Sequence, residues 1–130
     1  MKQNISKIHY ETLDRKRLEL FNSLAPLLTQ SFVLSGGTAL ALQIKHRKSF
    51  DFDFFLEKEI PSNLMGKLKD LVKISTLLVN TRDELSFMTF DDIKISFIYY
   101  PFFKFKEGEF IELQNGIKLF ALDEIAAQKA

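Results

Sequence analysis

The hydrophobic pattern changes period most clearly between Phe32 and Phe55. Phe32-Val33-Leu34 is a short apolar run of strand type. Ser35-Gly36-Gly37-Thr38 reads as a turn, and helix formers run from Thr38 to Lys45. Phe50, Phe52 and Phe54 then alternate with Asp51 and Asp53, which is strand periodicity. Successive side chains on a strand point to opposite faces. Both aspartates therefore share one face and the three phenylalanines the other.

Before this stretch, Leu13, Leu20, Phe21, Leu24, Leu27 and Leu28 recur at helical spacing, so the first thirty residues read as helix. Pro26 is expected to kink its last turn or break it. After it, Pro61-Ser62 opens another predicted helix, with Ser62 as N-cap and an apolar stripe of Leu64, Met65, Leu68, Leu71 and Val72. Strands are predicted over 74–79, 84–90 and 93–99, with turns at Thr81-Arg82-Asp83 and Asp91-Asp92. Pro101 ends the last of these or puts a bulge in it. Short strands at 109–113 and 116–120 flank Asn115-Gly116, a strong hairpin-turn signal. A helix is predicted from Leu122 to Ala130, and the chain stops inside it. That ending predicts a piece, or a shortened relative, of a longer protein.

The paired aspartates need a physical reason. Asp is poor in strands, and two strand rises put the carboxylates about 6.5 Å apart. A bound divalent cation is the most economical way to hold such a pair together. The bland alternative is an exposed pair protecting a sheet edge. The turn upstream favours the cation. Paired glycines let the backbone approach a ligand, and the following helix N-terminus favours anions. Thr38 adds a hydroxyl, or serves as a plain N-cap. This is neither the Rossmann fingerprint, which needs a third glycine, nor a P-loop, which ends in Lys-Ser/Thr.

Gly36-Gly37-Thr38, twelve residues, and then Asp51-Phe52-Asp53 resembles the first motif of the polymerase-beta-like nucleotidyltransferases. The longer strings, Leu34 to Leu42 and Arg47-Lys48-Ser49-Phe50-Asp51-Phe52-Asp53, resemble the AbiEii/AbiGii-type toxin branch more closely. The resemblance implies an α/β (α+β) fold, with a mixed, mostly antiparallel sheet flanked by helices. It implies transfer of a nucleotidyl group from a nucleoside triphosphate to an RNA, with tRNA as the expected acceptor. It also implies a toxin of a bacterial toxin–antitoxin or phage-defence system, with a cognate antitoxin as partner.

By the same resemblance Asp51 and Asp53 hold Mg²⁺ and act in catalysis. Gly36, Gly37 and Thr38 cradle the triphosphate, with Arg47, Ser49 and Lys129 as further substrate contacts. Ser49 would orient Asp51. Asp123 opens the helix that carries Lys129, although an ordinary amphipathic helix explains both. Lys94 is expected to neutralise phosphate; otherwise it is an ordinary outward lysine. Lys45, His46, Arg47 and Lys48 form a basic cluster, equally readable as a solvated helix end. The branch often has Lys-x-Asp where this chain has Lys94-Ile95-Ser96. A hydroxyl cannot replace a carboxylate as a base at neutral pH. The alternative reading is therefore a catalytically weak nucleotide-binding or protein-interaction module on the same fold. The helical second half of the branch is absent, so residues 1–130 are expected to be one nucleotidyltransferase core domain.

Composition narrows the classes. At 130 residues with 46% hydrophobic side chains, one domain with one core is expected. Eighteen basic and 17 acidic residues give a net charge of +1, which allows a local basic cleft but no globally basic surface. The absence of cysteine excludes disulfides, thiolate metal sites and a cysteine nucleophile. The chain shows no signal peptide and no membrane-length apolar run, so a cytoplasmic location without membrane is expected. Fourteen phenylalanines, mostly in strand-like segments, predict a sheet-centred core.

Overall fold

The structure, a computed structural model, describes residues 8–28, 32–44, 51–101 and 110–120. Helix α1 is Arg15–Leu28, with Pro26 inside it. The helix does not extend back through the preceding residues. A 3₁₀ turn spans Tyr10–Thr12, and Leu13 is extended. Asp14 explains the break. Its Oδ1 accepts the Arg17 N–H at 2.9 Å, which caps the first turn of α1 and forces the chain before it to depart. That hydrogen bond, helped by the Arg17 guanidinium, holds the Asp14 carboxyl below the usual carboxylate range.

Strand β1 is Val33–Ser35 and helix α2 is Gly36–Ile44. Strand β2 is Phe52–Leu56 and helix α3 is Leu64–Lys69. Strands β3 (Ile74–Asn80), β4 (Glu84–Thr89), β5 (Lys94–Tyr99), β6 (Phe110–Glu112) and β7 (Lys118–Phe120) follow. Two boundaries differ from expectation in an informative way. Helix α2 begins at Gly36 rather than Thr38, so the glycine turn is also the first helical turn. Asn63, not Ser62, is the N-cap of α3, and its side chain makes no capping bond. The Leu64 N–H instead bonds the Pro61 carbonyl at 3.1 Å, a backbone closure that needs no side-chain oxygen.

The described strands form one sheet in the order β3-β4-β5-β2-β1-β7-β6. The pairs β1–β2, β3–β4, β4–β5 and β6–β7 are antiparallel, and β1–β7 and β2–β5 are parallel. This is the mixed, mostly antiparallel α/β (α+β) sheet that the resemblance implied. The Asn115-Gly116 hairpin is present, with Gly116 at positive φ. In the β4–β5 hairpin the loop is Phe90-Asp91-Asp92, and Asp92 takes the left-handed conformation at φ 61°. That loop sets the register of β4 on β5.

One sheet face carries the core. Phe54 and Phe97 are register partners with stacked rings 5.4 Å apart. Phe52 stacks on Phe54 at 6.2 Å, Phe87 on Phe97 at 6.5 Å, and Phe21 of α1 on Phe52 at 5.6 Å. All five rings are fully buried. The phenylalanine alternation was thus a faithful signal of sheet face. Strand β3 lies at the sheet edge, and Leu77 and Leu78 on it remain nearly half exposed. Among the described residues no helix is long and apolar enough to cross a membrane.

Candidate functional site

The opposite face of the same strands carries a polar row. Directly opposed residues in a ladder project to one side. Ser35 pairs with Asp53, Asp53 with Ser96, and Ser96 with Ser86. Four strands therefore place Ser35, Asp53, Ser96 and Ser86 in a single row. The three serines are buried and Asp53 is half-buried. Asp51 lies just before β2 and is exposed.

The glycine turn meets this row at Asp53. Gly36 has φ 68°, a left-handed backbone that side chains with a Cβ rarely adopt. A Cβ built there would lie 2.8 Å from Asp53 Oδ2. Glycine is thus needed twice, for its backbone and for the space the carboxylate occupies. The Thr38 hydroxyl, buried in the first turns of α2, donates to the Asp51 carbonyl. That bond ties the helix start to the segment carrying the acids, so Thr38 acts as a clamp rather than an N-cap. The turn thus lies against Asp53, and Thr38 reaches the backbone of Asp51.

The electrostatics are those of a charge held against its preference. Burial raises the Asp53 carboxyl above the usual carboxylate range, and the neighbouring Asp51 charge raises it further. The Lys94 ammonium pulls it back down, and the Glu84 carboxylate pushes it up again. Lys94 is exposed and shares its strand face with Ser96, as expected from their spacing. Glu84 was not anticipated as part of this site. It lies two residues from Ser86 on β4, on the same face. Counting pairs back from the Asp91-Asp92 turn would have placed Ser86 opposite Ser96, with Glu84 next along.

Gly36, Gly37, Thr38, Asp51, Asp53 and Lys94 all fall within the described residues, with Gly36 against Asp53 and the charges of Asp51 and Lys94 acting on it. Arg47 and Ser49 lie outside the described residues, as do Lys45, His46, Lys48, Asp123 and Lys129. An open cavity of about 430 Å³ lies at the other end of β1 and β2, lined by Val33, Leu56, Lys67 and Lys118 among others. It includes none of the predicted site residues, so its size does not compete with the chemistry of the polar row.

Residues 20–106 match the family described as "Nucleotidyl transferase AbiEii toxin, Type IV TA system". The chain belongs to this AbiEii family. An uncharacterized protein of Aquifex aeolicus is 38% identical over 90 residues, covering 68% of this chain and 42% of that protein. The chain resembles the crystal structure of a candidate nucleotidyltransferase from H. pylori with a TM-score of 0.61 and 23% identity, covering 85% of this chain and 55% of that one. It also resembles the apo form of a CCA-adding enzyme with a TM-score of 0.59 and 19% identity, covering 75% of this chain and 23% of that one. These two likenesses establish the nucleotidyltransferase fold. In each comparison the AbiEii-family chain spans at most about half of its relative's length.

Proposed function

We propose that residues 1–130 are the nucleotidyltransferase core of an AbiEii-type toxin. It transfers a nucleotidyl group from a nucleoside triphosphate to an RNA acceptor, with tRNA the first acceptor to test. Its place of action is the cytoplasm, where triphosphates and RNA are found, and its protein partner is a cognate antitoxin. The observation that carries this reading is the seating of the Asp53 carboxylate against Gly36. The acid pair and the phosphate-binding turn thereby serve one ligand.

The donor set suits Mg²⁺. Among the described residues no three His, Cys, Asp or Glu side chains group closely enough to hold a metal. Mg²⁺ does not need such a cage, because it is usually bound through one or two carboxylates plus substrate phosphates. Asp51 and Asp53 would hold it, and the repulsion that raises Asp53 would be relieved. When bound, the cation supplies charge neutralisation at the phosphates and the leaving pyrophosphate. The N–H groups at the start of α2 bind the triphosphate, and Lys94 balances its charge. Arg47, Ser49 and Lys129 are proposed as further substrate contacts on the family pattern alone.

The test is incubation of the whole chain with each labelled triphosphate, Mg²⁺ and total RNA. Label should enter RNA, and Asp51→Asn should abolish both transfer and Mg²⁺-dependent triphosphate binding without unfolding the protein. Absence of both in the wild type would overturn the reading. Ser96 beside Asp53 favours a second reading, a nucleotide binder that transfers very slowly. It predicts binding without measurable transfer, and a gain of transfer in Ser96→Asp.

A further inference from the structure

This inference rests on the nucleotidyltransferase reading and concerns the carboxylate that Ser96 replaces. Ser96 is not isolated. Its hydroxyl lies 2.9 Å from that of Ser86, its partner across the hairpin. The Ser86 hydroxyl also lies 2.6 Å from Glu84 Oε2. A hydroxyl has one proton to donate, and an ionised carboxylate only accepts. Ser86 therefore donates to Glu84 and accepts from Ser96. The hydrogen bonds run in one direction, from the position beside Asp53 to a carboxylate two residues further along β4.

Stability does not explain this arrangement. A serine pair across a hairpin is an ordinary cross-strand contact. Glu84, however, is half-buried and its charge repels Asp53. A carboxylate free to turn into water would avoid that cost. Ser86 is fully buried and Ser96 is 3% exposed, so the inner link to Glu84 is shielded from competing water.

We propose that Glu84 is the third carboxylate of the transfer reaction, reached through Ser86 and Ser96. The acceptor hydroxyl lies against Ser96. As its oxygen attacks the α-phosphorus, its proton passes to Ser96 Oγ. Ser96 passes its own proton to Ser86, and Ser86 passes its proton to Glu84. The new bond joins the acceptor oxygen to the α-phosphorus. The bond from that phosphorus to the bridging oxygen breaks, and pyrophosphate leaves with the electron pair. Glu84 returns the proton to solvent after release. Ser96 touches the acceptor, whereas Glu84 and Ser86 act through it and so position and relay.

The test measures two quantities on the whole chain. One is transfer of label from the four triphosphates to total RNA with Mg²⁺. The other is calorimetric binding of Mn²⁺ together with non-hydrolysable triphosphates. Glu84→Gln and Ser86→Ala should each slow transfer by about 10²–10⁴-fold, the usual range for general-base assistance, while both ligands still bind. Adding Ser96→Asp to Glu84→Gln should restore the rate, because a carboxylate then stands at the acceptor itself. A merely structural role for Glu84 would not be rescued in this way. The relay is overturned if Glu84→Gln transfers at the wild-type rate, or if the double variant stays as slow as the single one. It is also overturned if the wild type binds both ligands but transfers only after Ser96→Asp. A wild type that binds neither ligand overturns the site reading as well, which separates the two failures.

Discussion

Strands β2, β5 and β4 have two faces built on opposite principles. On one, Phe52, Phe54, Phe97 and Phe87 stack in a closed core. On the other, Asp53, Ser96 and Ser86 stand in one row, with Glu84 two residues along β4 and its charge repelling Asp53. Fully burying a phenylalanine contributes about 1.5–3 kcal/mol. The polar row gains little of this, and in it Asp53 is repelled by Asp51 and Glu84. Because β-strands alternate strictly, the two faces share one backbone, and the core face holds the polar face in place. The candidate site thus occupies the face opposite the stacked phenylalanines.

Substitutions should separate the faces. Phe54→Ala should cost about 3–5 kcal/mol, read by denaturant unfolding, because the site is fully buried among other rings. A loss under ~1 kcal/mol would show that the core does not depend on this stack. Gly36→Ala comes next, at about 1–3 kcal/mol for a strained left-handed residue. It should also weaken Mn²⁺-dependent triphosphate binding by more than about tenfold, since the new methyl displaces Asp53. Unchanged binding would separate the turn from the acids.

Asp53→Asn should act with the opposite sign. Folded Asp53 keeps its proton to higher pH than the unfolded chain does. Between those two values the folded state binds more protons, so stability falls as pH rises through the window. The amide should remove that fall and raise the melting temperature of the metal-free protein by a few degrees at neutral pH. In added Mn²⁺ and triphosphate the order should reverse, with the wild type the more stable. The smallest effect is expected on β3, where Leu78→Ser should stay within about 0.5 kcal/mol because Leu78 is already 47% exposed.

The two faces also differed in how well the chain announced them. Alternating Phe52, Asp53 and Phe54 marked both faces of β2, and the glycine turn proved to lie against Asp53. Those signals are local. Glu84 was missed because its closeness to Asp53 depends on the parallel pairing of β2 with β5, two strands that are far apart in the chain. No local pattern encodes that pairing. The start of α2 was misplaced by two residues for a different reason. Gly36 can enter the helix from a left-handed conformation, so the turn and the first helical turn are the same residues. The Asp14 cap was overlooked because the leucine spacing runs smoothly across it, while its carboxylate ends the helix there.

The most direct test of the central claim is a crystal structure of the whole chain grown with Mn²⁺ and a non-hydrolysable triphosphate, with the metal located by anomalous scattering. The account predicts a manganese peak between the carboxylates of Asp51 and Asp53, with triphosphate oxygens on the N–H groups of Gly36 to Thr38. A peak away from both aspartates, or a triphosphate bound on the phenylalanine side of the sheet, would contradict it.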